Sequence, residues 1–146
     1  MKISNFGYFW LDTWVIANVI QLATQDFCSL FLNRTNDPCG RQYDQMTQAA
    51  RSVPANIAEG CSRRSTSKET EMKLTDVARA SLAELENDYL NWLMRQEQTP
   101  WSVNSQEYKT VNSIQLDRPT YNDDLLFVLR KAPKLTRLNV RYAVNP

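Results

Sequence analysis

The chain has 146 residues, 17 Lys+Arg, 16 Asp+Glu and no histidine, giving a formal net charge of +1. That length suits one domain with a real hydrophobic core, and three glycines and six prolines are too few for a disordered or collagen-like chain. Without histidine there is no Ser-His-Asp or Cys-His catalytic set and no imidazole metal ligand, and near-neutral charge argues against a strongly basic whole-surface nucleic-acid binder.

At the N-terminus Phe6, Tyr8, Phe9 and Trp10 form a dense aromatic cluster. Its plain role is to pack over one end of the fold; exposed, it would be a protein-binding patch. The first helix is expected at 13–33, where Ile16, Ile20, Ala23, Phe27 and Leu30 recur at steps of four and three. The stretch from Trp14 to Leu32 is too polar to span a membrane, because Asn18, Gln21, Gln25 and Asp26 interrupt it. Cys28, Cys39 and Cys61 form no CxxC pair and are odd in number. They read as reduced thiols in a cytoplasmic protein, not as a zinc or redox site.

A second helix is expected at 38–62, started by Asp37 as N-cap with Pro38 at the first helical position. Met46, Ala49, Ala50, Val53 and Ile57 form its apolar stripe, and Pro54 predicts a kink or local break. Gly60 is a plausible stop, although the helix can continue through Arg63. The third helix is expected at 67–97, with Thr66 and Glu69 as a capping box and a stripe through Leu74, Ala78, Ser81, Leu85, Tyr89 and Trp92. A fourth helix is expected within 104–131, either as Ser105 to Leu116 with Ser105 as N-cap, or through Leu125, Leu126 and Leu129. The whole reads as all-α: an antiparallel up-and-down four-helix bundle over 1–131, then a basic C-terminal tail over 132–146.

The second helix also carries a polar stripe. Arg41, Gln45, Gln48, Ser52, Asn56, Glu59 and Arg63 follow steps of three and four. A solvated face usually carries more Lys and Glu, and Glu59 and Arg63 stand in the favourable i,i+4 order for an ion pair. Gln45, Ser52, Asn56, Glu59 and Arg63 are therefore expected in a buried polar network or a subunit contact. Asn56, Glu59 and Arg63 with Glu84 or Glu86 are the best available catalytic set. Bundle metal sites usually add a Glu-x-x-His pair, however, and this chain has no His. No catalytic residue, cofactor or metal is expected.

The run Gln45-Met46-Thr47-Gln48-Ala49-Ala50-Arg51-Ser52-Val53-Pro54-Ala55-Asn56-Ile57-Ala58-Glu59-Gly60, followed by Arg63, Lys68-Glu69, Ala78, Ser81, Leu82, Glu84 and Leu85, resembles the signature of a bacterial four-helix-bundle family. That family includes proteins encoded by intervening sequences in large-subunit ribosomal RNA genes and accessory proteins of diversity-generating retroelements. Thr47 and Gln48 stand where the family usually has a basic pair, and Ala80 where a Gly is common. The resemblance implies a four-helix bundle and a homo-oligomeric ring, usually a pentamer. In the retroelement branch it implies binding to a reverse transcriptase and to nucleic acid.

The residues themselves offer two basic clusters for that work: Arg63, Arg64 and Lys68 before the third helix, and Arg130, Lys131, Lys134, Arg137 and Arg141 after Asp124, the last acid. The leading expectation is a non-enzymatic homo-oligomeric scaffold or adaptor binding RNA, DNA or a nucleic-acid enzyme. The alternative is a pure protein–protein interaction module.

Overall fold

The computed structural model describes residues 7–113, the side chains of Phe9 and Trp10 excepted. A short 3-10 turn, Gly7–Trp10, leads into α1 (Asp12–Phe31), α2 (Arg41–Arg63), α3 (Lys68–Arg95) and α4 (Gln106–Asn112). The fold is all-α, with four helices and no strand among the described residues. The first three helices lie where their apolar periodicity puts them. The fourth falls inside the expected window with Ser105 as its N-cap, the Ser105 side chain accepting from the Tyr108 N–H. The rest of that window and the tail at 132–146 lie outside the described residues.

Short connections at 32–40 and 64–67 make sequential neighbours antiparallel, and α2 packs against both α1 and α3. Among the described residues two clusters form the core. Phe27 and Cys28 of α1 meet Met46 and Ala50 of α2 and Leu85 of α3. Lower down, Ala17, Val53 and Ala78 meet, flanked by Ile57 and Leu82. The small residues Ala17, Ala50 and Ala78 let the helices approach closely. The stripes expected on α2 and α3 are the buried ones.

On α1 the buried face is turned relative to expectation. Val15, Ala17, Thr24, Phe27 and Cys28 are buried, while Ile16 and Leu30 are exposed. Thr24 is the one buried polar residue among those described, and its hydroxyl oxygen accepts a hydrogen bond from the Tyr89 hydroxyl of α3 at 2.9 Å. Phe27 sits edge-on to Tyr89 and Trp92 at centroid separations of 4.9 and 5.5 Å. Aromatic geometry thus joins α1 to α3, adding to area burial.

Two helix starts differ from the sequence reading. α2 begins at Arg41, with Gly40 at φ 67° as N-cap. Asp37 still serves the helix, because its carboxylate accepts from the N–H groups of Gln42 and Tyr43 across the intervening turn. The cap of α3 is Ser67, not Thr66: Ser67 Oγ accepts from the Thr70 N–H, so no Thr66–Glu69 box forms. The Thr66 hydroxyl instead donates to the Arg63 carbonyl.

α2 is assigned as one helix through Pro54, which is buried. The polar neighbours of Pro54 serve the backbone there: the Ser52 hydroxyl donates to the Ala49 carbonyl and the Asn56 amide to the Ser52 carbonyl. Gly60 does not stop the helix. It is buried, and a Cβ placed on it would lie 3.4 Å from the Glu71 carbonyl oxygen and 3.5 Å from Leu74 Cβ. Its small size brings the start of α3 close to the end of α2.

Candidate functional site

The polar stripe of α2 divides along its length. At the N-terminal half it forms one wall of a groove of about 870 Å³ between α2 and α3. Gln45, Gln48 and Ser52 line it from α2, and Ser81, Glu84 and Asp88 from α3. The floor is set by Ser52 Oγ, hydrogen-bonded to Ser81 Oγ at 2.7 Å. Ser52 and Asn56 are therefore spent inside the bundle, on register and on backbone carbonyls, and Gln45 remains exposed at the groove.

The sequence reading named Ser81 and Glu84 for other reasons and did not join them with Asp88 as one wall of a groove. Ser81, Glu84 and Asp88 follow steps of three and four, so they share a helix face, and that spacing was the available signal. With Asp44, also at the groove, Glu84 and Asp88 make it acidic. Such a surface repels phosphate and suits a cationic or amide-rich contact.

At the other end, Glu59 and Arg63 are both exposed, and no ion pair among the described residues joins them. The expected i,i+4 pair is not made. Arg64 reaches Glu71 at 3.9 Å instead, a long contact across the α2–α3 turn. Glu59 lines a separate hollow with Tyr8, Leu11, Cys61 and Arg64, under the N-terminal turn. Tyr8 packs there on Trp14, with ring centroids 5.5 Å apart. The N-terminal aromatic cluster thus caps this end through Tyr8, while Phe6 lies outside the described residues.

Helical rise sets Glu59 and Glu84 about 15 Å apart along the bundle axis, so the carboxylates weighed for catalysis do not converge. Among the described residues no group of three or more His, Cys, Asp or Glu stands close enough to hold a metal ion.

Arg63, Arg64 and Lys68 all sit exposed around the α2–α3 turn. They lie about 28 Å along α2 from Asp44, so the basic patch and the acidic groove occupy opposite ends. Arg130, Lys131, Lys134, Arg137 and Arg141 lie outside the described residues. Residues 7–113 hold ten basic and thirteen acidic side chains, a net charge of −3.

The three cysteines are free. Burial pushes the Cys28 thiol up to about 11, with Asp37 and Asp88 adding to it, which keeps it protonated and inert. Burial raises the Cys61 thiol as well, followed by the charge of Glu71. Among the described residues no helix is long and apolar enough to cross a membrane.

Comparison with known proteins gives one family. The family model described as 23S rRNA-intervening sequence protein matches residues 20–113. No curated protein and no solved structure matches the chain. The matched span runs from the middle of α1 to the end of α4, and includes both the α2–α3 groove and the basic turn. On that span the chain belongs to the family of 23S rRNA-intervening sequence proteins.

Proposed function

We propose that the chain is a non-enzymatic, cytoplasmic, homo-oligomeric helical scaffold that binds RNA, alone or with a nucleic-acid enzyme such as a reverse transcriptase. The observation that carries this reading is the family match across 20–113, whose description ties the family to 23S ribosomal RNA. The exposed Arg63, Arg64 and Lys68 supply a phosphate-binding patch at the α2–α3 turn, and the five basic residues after Asp124 supply another. One such patch binds phosphate weakly. A ring repeats it in every subunit, and avidity then multiplies the effect. The resemblance puts the number of copies at five. Gln45, Glu59 and Arg63, exposed on α2, are the subunit contacts in this reading.

Light scattering on the full chain gives the assembly mass. Titration with single- and double-stranded RNA and DNA over a salt series then tests binding. The expected result is an affinity that falls linearly with salt on logarithmic axes. Arg64→Glu with Lys68→Glu, which leaves the subunit contact Arg63 intact, should weaken it at least tenfold. Absence of binding at every salt concentration refutes the RNA role. The acidic groove of Asp44, Glu84 and Asp88 favours the second reading, a protein-interaction module, and that reading stands if partners bind unchanged after the Arg64 and Lys68 substitutions.

A further inference from the structure

Where α3 ends, an apolar groove of about 680 Å³ lies open over Phe27, Tyr89, Trp92 and Trp101. Its sides come from α1, from α3 and from the chain between 97 and 105. Glu97 is its one charged lining residue. Next to the lining residues Leu93 and Ser102, Met94 and Val103 are 64% and 63% exposed. α4 does not cover this end. It is seven residues long, about 10 Å, and none of its residues is fully buried.

The same chain carries an apolar segment that matches. Residues 125–129, Leu125-Leu126-Phe127-Val128-Leu129, are five consecutive apolar side chains. A run of that kind left in water is an association hazard, so it is normally covered. The two basic residues that follow it, Arg130 and Lys131, are complementary to Glu97. Reach is ample. Ser105 lines the groove and also caps α4, and the twelve residues from Ser113 to Leu125 span up to about 40 Å when extended. Tethering at that distance gives an effective concentration in the millimolar range, which favours the chain's own segment over a second copy.

We propose that residues 125–129 seat in the aromatic groove of their own chain, with Arg130 and Lys131 against Glu97. This goes beyond the scaffold reading and does not depend on RNA binding. It fixes where the basic tail leaves the bundle, at the end opposite Arg63 and Arg64, so each subunit presents two separated basic patches.

The test is disulfide trapping in the full chain with Cys39→Ser and Cys61→Ser, leaving the buried Cys28. Ser102→Cys at the groove is paired with Arg130→Cys. The control pairs Ser65→Cys, at the α2–α3 turn, with Arg130→Cys. Under mild oxidation at low protein concentration, the groove pair should close an intrachain disulfide at least tenfold faster than the control. Adding Leu126→Asp and Leu129→Asp should remove that advantage while the helical circular dichroism is kept. Equal rates for the two pairs overturn the proposal, as does an advantage that survives the aspartates. Disulfides formed only between chains overturn it in favour of a second copy. If the aspartate variant fails to fold, Leu126→Ser with Leu129→Ser makes the same comparison with a milder change, because tethering alone already favours the groove pair over the control.

Discussion

Glu97 is the residue most at odds with its backbone. It has φ 55°, the one positive φ outside glycine among the described residues. The reason is the helix end it forms. The Gln98 N–H donates to the Leu93 carbonyl and the Glu97 N–H to the Met94 carbonyl, the two bonds of a Schellman motif. That motif wants glycine at this position, because a Cβ in the left-handed region costs about 1–2 kcal/mol. Glu97→Gly should therefore stabilise the chain by about 0.5–1 kcal/mol after the added freedom of glycine in the unfolded state, seen as a higher urea midpoint.

A second consequence at this scale concerns alkaline pH. Burial raises the Cys28 thiol from 9.0 to about 11 and the Tyr89 phenol from 10.0 to about 12. Both are neutral when protonated, so the folded chain holds these protons more tightly than the unfolded one. Their contribution is complete below about pH 9 and is lost as the pH rises through 9 to 12. Urea midpoints at pH 8 and pH 10.5 should show lower stability at the higher pH, and Cys28→Ala should flatten the difference.

The elements owe their placement to a few contacts that propensity does not encode. Ser67 caps α3 although Thr66 precedes the better-spaced glutamate. One residue decides this, because the α2 end continues to Arg63 and closes the turn through Thr66 and Ser67 N–H bonds to the Arg63 carbonyl. Gly60 governs the approach of α2 and α3. A methyl at Gly60 fits at ordinary contact distance, and alanine is the better helix former by about 1 kcal/mol. Gly60→Ala should hold or raise stability by up to about 1 kcal/mol, whereas Gly60→Leu should lower it by about 1–3 kcal/mol by overpacking. Thermal unfolding of the two variants distinguishes them. Destabilisation by alanine as large as by leucine would show that the interhelix space is tighter than described.

For the whole molecule, charge is segregated. Residues 7–113 carry a net charge of −3 while the chain as a whole carries +1, so the positive excess sits outside the described residues. Glu59 and Glu71 allow the scaffold reading to be tested on this scale. Glu71 faces Arg64 inside one chain, a long contact between an exposed arginine and a half-buried glutamate, worth at most about 1 kcal/mol. Glu59 is exposed at the end of α2 with no ion pair among the described residues, and the proposed assembly places it between subunits. Glu59→Ala should shift the mass measured by light scattering toward smaller species, and Glu71→Ala should leave it unchanged. Equal masses for both variants would remove Glu59 from the interface.

Much of this architecture was legible in the chain itself, because helix periodicity is a local property. The steps of three and four through Met46, Ala50 and Val53, and through Ala78, Ser81, Leu85 and Tyr89, mark the inward faces that the structure then uses. The 45–60 run likewise carried the family. The tertiary structure alone decided which face of α1 is inside. Ile16 and Leu30 have the stronger hydropathy, but the close approach of α2 and α3 admits Ala17, Thr24 and Cys28, and Thr24 is satisfied by a tyrosine 65 positions away. Tertiary packing also divided the polar stripe into a half-buried middle, Ser52 and Asn56, and two exposed ends. Spacing along one helix tells which residues share a face, but which neighbour that face meets depends on a second helix distant in sequence.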